Sequence, residues 1–76
     1  MVFAIWDLES KNLVGDYESE QEALSVVEKT LAVYGRDSVL TLALESEDET
    51  GEIGLLAEGE GLIALVLERK PFAQTV

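Results

Sequence analysis

The chain contains neither cysteine nor histidine. Without cysteine there is no disulfide framework, no thiolate nucleophile and no cysteine-based zinc or iron–sulfur site. Without histidine it lacks the side chain most used for proton transfer near neutral pH and the commonest transition-metal ligand. Ser10, Ser19, Ser25, Ser38 and Ser46 therefore have no imidazole to activate them, and Lys11, Lys29 and Lys70 are the remaining nitrogen bases. Serine and cysteine hydrolase mechanisms are excluded, and the expectation is a protein that is not an enzyme and uses no cofactor.

Long apolar runs are missing too. The longest, residues 62–67, is far below the roughly 20 residues that span a bilayer. Residues 1–8 include Asp7 and no basic flank, which is not a secretory signal, so the expected compartment is the cytoplasm and no membrane is expected. Basic residues are scarce: five Lys and Arg face sixteen Asp and Glu, a formal charge of -11. That balance argues against direct contact with nucleic acid or an anionic membrane surface.

What is present is the composition of one folded domain spanning residues 1–76, with 47% hydrophobic and 28% charged residues. A chain this short buries only about 60% of its unfolded surface. With no disulfide to compensate, self-association into a homo-oligomer is expected.

Residues 2–8 (VFAIWDL) and 13–17 (LVGDY) are rich in β-branched and aromatic side chains and flank a polar stretch, the pattern of a β-hairpin. Asn12 is the residue there most tolerant of positive φ, so a short turn with Asn12 left-handed is expected. Alternation puts Phe3, Ile5 and Asp7 on one face of the first strand and Val2, Ala4, Trp6 and Leu8 on the other. Both faces are largely apolar, and one helix covers only one of them.

Ser19-Glu20-Gln21-Glu22 is a capping box, in which the Ser19 hydroxyl accepts from the Glu22 amide and the Glu22 side chain returns to the Ser19 amide. Leu24, Val27, Leu31 and Tyr34 recur at helical spacing, Glu20 and Glu22 suit the positive end of the helix dipole, and Gly35 supplies the C-terminal stop. The expected helix runs from Ser19 to Gly35. Residues 39–45 (VLTLALE) then alternate as a strand with Leu40, Leu42 and Leu44 on one face. Residues 45–52 read as a solvated acidic turn, and residues 53–57 (IGLLA) return as a fourth strand with Ile53, Leu55 and Ala57 aligned. For residues 62–67 a buried strand and a helix are both open. Glu58 and Glu60 before the run, Arg69 and Lys70 after it, and Pro71 as a stop favour the helix. Residues 72–76 are expected to be a loosely ordered end, with Phe72 able to fold back on the core.

The assembled expectation is an α+β fold: a two-layer ββαββ(α) domain whose four-stranded, mostly antiparallel sheet carries one main helix on one face. Several chemistries can be weighed on it. Setting Gly51 at the sixth position of a calcium-binding EF-hand loop puts Ser46 where Asp is needed and Ala57 where a bidentate Glu is needed, so no metal site is expected. Nothing fixes a carboxylate pair for acid–base hydrolysis. Gly51, Gly54, Gly59 and Gly61 are interspersed with glutamates that would repel phosphate, and they read as turn and helix-entry residues.

The remaining candidate is a surface for another protein. Trp6, Val2, Ala4 and Leu8 with Tyr17 form an aromatic and aliphatic set suited to anchoring an interface, or else Trp6 is core beneath a C-terminal helix. Asp16, Glu18, Glu20 and Glu22 near the helix start and the acidic residues from Glu45 to Glu52 contribute the acidic component, which either occupies the basic groove of a nucleic-acid-binding partner or simply keeps the chain dispersed. Two functions stand side by side: an acidic interaction module that binds or inhibits a basic partner protein, and a self-assembling structural or regulatory homo-oligomer.

The stretch 5–31, IWDLESKNLVGDYESEQEALSVVEKTL, with S-E-Q-E-A-L at Ser19 to Leu24, resembles small bacterial ββα proteins, including the HicB-like antitoxin plan of a hairpin leading into a capped Glu-Ala-Leu helix. It covers roughly a third of the chain. The resemblance implies neutralisation of an RNA-cleaving partner and supplies no site residues.

Overall fold

A computed structural model describes residues 1–69. The element order is β1 (Val2–Asp7), β2 (Asn12–Tyr17), α1 (Glu20–Tyr34), α2 (Arg36–Val39), β3 (Leu42–Glu47), β4 (Ile53–Glu58) and α3 (Glu60–Arg69). The four strands form one sheet in the order β2-β1-β3-β4, and every neighbouring pair is antiparallel. The expected α+β architecture is the one observed, with its sheet of four strands. Expectations for residues 70–76, including Phe72, lie outside the described residues.

The first hairpin differs from expectation at its turn. Lys11, not Asn12, takes the left-handed conformation (φ 62°), and Asn12 already opens β2 opposite Asp7. Asp7 organises this turn: its carboxylate accepts from the Glu9 amide (3.1 Å) and the Ser10 hydroxyl (3.0 Å). Those contacts fix the loop one residue earlier than side-chain preference alone suggests.

α1 forms where the capping box places it. Ser19 Oγ accepts from the Glu22 amide at 3.1 Å, but the returning Glu22 carboxylate takes the Glu18 amide (3.2 Å), not that of Ser19. The extended backbone of Ser19 turns the chain into the helix just after Glu18, bringing the preceding amide within reach. Gly35, at φ 91°, ends α1 and donates to the Leu31 carbonyl.

Residues 39–45 are not one strand. Val39 closes the short helix α2 and is buried, Leu40 caps it, and β3 begins only at Leu42 and extends to Glu47. Pairing decides this boundary: Leu42 opposes Asp7, and Glu47 opposes Val2 on one side and Ile53 on the other. Ladder hydrogen bonds to two neighbours hold Glu45, Ser46 and Glu47 extended, although their polarity reads as loop. The turn itself shrinks to Asp48–Glu52, where Asp48 Oδ1 accepts from the Thr50 amide (2.9 Å), the Thr50 hydroxyl (2.6 Å) and the Glu52 amide (3.0 Å).

The ambiguous apolar run is helical. Leu62, Ile63 and Val66 are its buried positions, a spacing that a strand cannot put on one side. Gly59 (φ 55°) turns the chain into α3 and donates to the Leu42 carbonyl at 3.1 Å.

The core lies between the sheet and both long helices. Ile5, Leu42 and Leu44 come from the sheet, Ala23, Leu24 and Val27 from α1, Val39 from α2, and Leu62, Ile63 and Val66 from α3. Each fully buried Leu, Ile or Val contributes about 1.5–3 kcal/mol, and no polar or charged side chain is buried among the described residues. α1 and α3 therefore pack on the same face of the sheet. α3 does not cover the second face, which overturns the reading of Trp6 as core beneath a C-terminal helix.

Candidate functional site

Register assigns every strand residue to a face. The core face carries Phe3 and Ile5 of β1, Tyr17 of β2, Leu42 and Leu44 of β3, and Ala57 of β4. Among the described residues no helix lies on the opposite face. Across it run Asp16, Ala4, Glu45 and Leu55 in one row, and Leu13, Trp6, Ala43 and Glu58 in the next. Val2, Glu47 and Ile53 complete it at one end.

Two bulges shape this surface. The β1–β2 register shifts between Ile5 and Trp6, and the β3–β4 register shifts between Leu44 and Glu45, so Val14 and Leu56 are each an extra residue on an edge strand. Bulges increase local twist. Between them a shallow groove of about 110 Å³ is lined by Val2, Ala4, Trp6, Leu13, Glu45 and Ile53, among others. Trp6 is half-buried in it, while Ala43, opposite Trp6 in register, is buried without belonging to the main core.

The electrostatics of the face have one sign. The four strands contain Asp7, Asp16, Glu45, Glu47 and Glu58 and no Lys or Arg. Four of these acids, Asp16, Glu45, Glu47 and Glu58, lie on the open face. Acids elsewhere have local work. The Ser10 hydroxyl, and then the Glu9 amide, hold Asp7 below the usual carboxylate range, and the Thr50 hydroxyl followed by the Glu52 amide does the same for Asp48. Glu60 pairs with Arg36, joining α3 to α2, and its hydrogen bond raises the guanidinium further above its ordinary range.

The residues expected to form a site divide. Val2, Ala4, Trp6 and Asp16 come together on the open face. Tyr17 does not join them, because it opposes Phe3 and packs at the margin of the helix-covered core. Glu22 is occupied in capping α1, its carboxylate accepting from the Glu18 amide, while Glu18 itself lies exposed between β2 and α1, away from the groove. Leu8 lies just past β1, exposed, with its amide donating to the Thr41 carbonyl at 2.7 Å. Leu13, Ile53 and Leu55 join the face without having been expected there, and Glu45 and Glu47, expected as acids of the 45–52 turn, lie beside the Trp6 set as strand residues. The signal for all five is parity along paired strands.

Among the described residues no group of three or more acidic side chains is arranged to hold a metal ion, and no helix is long and apolar enough to cross a membrane. No family model matches the chain, and neither curated proteins nor solved structures give a match.

Proposed function

We propose that this protein is a non-enzymatic binding module whose open sheet face docks a basic partner protein and so occupies or inhibits it. The observation that carries the reading is the face itself: a groove lined by the chain's sole tryptophan and by the carboxylates of Asp16, Glu45 and Glu47, with no basic residue among its described lining. A half-buried indole in a shallow groove is an anchor with little entropy to lose. The surrounding acids select a cationic surface and raise its rate of encounter.

A second copy of the chain suits this face poorly. Stacking two such faces would bring Asp16, Glu45, Glu47 and Glu58 of each against those of the other with no cation between them. Like charges brought together in that way cost free energy in place of supplying it. Neutralisation of a nucleic-acid-binding or RNA-cleaving protein is one role such a module would fill, since carboxylates on a rigid sheet stand in for phosphates.

The test is affinity capture from native lysate at moderate salt, comparing wild type with Trp6→Ala and with the double variant Glu45→Lys/Glu47→Lys. The expected result is a basic protein that elutes with salt and is retained by neither variant. A partner held equally by all three baits, or a wild-type chain that forms only a homo-oligomer dispersed by Trp6→Ala, would overturn the reading.

A further inference from the structure

Among the described residues β4 is an edge strand with β3 as its one neighbour. An edge strand exposes a row of unpaired backbone donors and acceptors, and proteins ordinarily blunt such edges with Lys, Pro or a bulge. β4 has no Lys or Pro, and its bulge at Leu56 leaves Ile53, Gly54 and Leu55 in regular register with β3. Its sequence is Ile-Gly-Leu-Leu-Ala-Glu, and Ile53, Leu55 and Leu56 are 61%, 55% and 43% exposed. The other edge, β2, is less apolar, with Asn12, Gly15 and Asp16 interrupting it.

The open face continues to this edge. Ile53, Leu55 and Glu58 of β4 point to it, and Glu47 and Glu45 of β3 lie beside Ile53 and Leu55. We propose that the partner engages through an extended segment that adds to the sheet as a fifth strand against β4, with Lys or Arg at alternate positions over the open face. Strands lie about 4.8 Å apart, so a Lys or Arg on the added strand crosses Ile53 or Leu55 to reach Glu47 or Glu45. Apolar stems of these side chains cover the exposed aliphatics while their charged ends meet the carboxylates. Main-chain hydrogen bonds supply affinity and the alternate side chains supply selection. A second copy of β4 brings no cation to this position, which is why the occupant is a foreign cationic strand.

This inference rests on the open face receiving a cationic partner, and its test separates the two. Isotopically labelled protein is titrated with a synthetic peptide of about eight residues alternating Lys and Val. Two further versions carry backbone N-methyl groups, one on every Lys and one on every Val. In a strand only every second amide points at a given neighbour. Strand addition therefore predicts asymmetry: one methylated peptide loses more than about tenfold in affinity while the other keeps the parent's affinity within about threefold. Amide exchange of residues 53–58 slows with the parent peptide. If all three peptides bind alike, change Trp6 fluorescence and leave those amides unprotected, strand addition is overturned and docking on the open face stands. If none binds, strand addition is overturned as well, and lysate capture alone then decides the face reading.

Discussion

The two faces of this sheet are built from the same strands, one residue apart, and they behave as different materials. On one, Ile5 and Leu44 are fully buried under two helices and no charged side chain is enclosed. On the other, Val2, Leu13, Ile53 and Leu55 remain exposed among Asp16, Glu45, Glu47 and Glu58. Stability is concentrated on the first face, where apolar area is withdrawn from water. The second mixes large apolar groups with acids of one sign, which serves folding poorly and suits a cationic partner well. Contiguous apolar surface left open and rimmed by charge marks interaction sites more often than it marks chance.

Substitutions on either side of one strand pair sharpen this contrast. Leu44→Ala should cost about 2–5 kcal/mol in urea unfolding, a large part of a small domain's stability. Leu55→Ala, on the adjacent strand but the open face, should stay within about 0.5 kcal/mol. Equal costs at the two positions would erase the distinction. Trp6→Ala is intermediate, because the indole is half-buried: a loss of about 1.5–2.5 kcal/mol in the same assay, with partner capture abolished while the domain stays folded. A Trp6→Ala chain that is unfolded would return Trp6 to the core.

Smaller effects test whether acids in folding roles differ from acids on the open face. Ser19→Ala removes the acceptor of the Glu22 amide and should cost about 1 kcal/mol in thermal or urea unfolding without changing partner capture. Asp48 is the mildest case. Its folded-state pKa is depressed by the Thr50 hydroxyl and the Glu52 amide, so its contribution is present above the ordinary carboxylate range and is lost as pH falls through its lower folded value. Melting temperatures of wild type and Asp48→Ala should therefore converge on acidification and stand furthest apart near neutral pH. Curves that run parallel at every pH would remove Asp48 from the turn's stabilisation.

Local rules reach a long way into this chain. The capping box at Ser19, the stop at Gly35 and the helical spacing of Leu62, Ile63 and Val66 belong to single segments, and their elements formed as read. Features set by neighbouring strands did not yield to the same reasoning. Val39 and Leu40 carry β propensity yet form and cap a helical turn, because β3 cannot start before it meets Asp7. Ser46 and Glu47, expected beyond the end of the 39–45 strand, are strand with Glu45, because β1 and β4 both pair with them. The same blindness concealed half of the candidate site. Alternation identified Val2, Ala4 and Trp6 within one strand, whereas adding Glu45, Glu47 and Ile53 required the register of three. Tyr17, grouped with Trp6 by its aromatic character alone, is sent to the other side by pairing with Phe3.

The central claim is that docking occurs on the open face, and mapping amide chemical shifts on the labelled chain with the captured basic partner tests it most directly. The account predicts perturbation at Val2, Ala4, Trp6, Leu13, Glu45 and Ile53, with the outer surfaces of α1 and α3 unmoved. Perturbation confined to α1 and α3, with the Trp6 resonances unchanged, would contradict it.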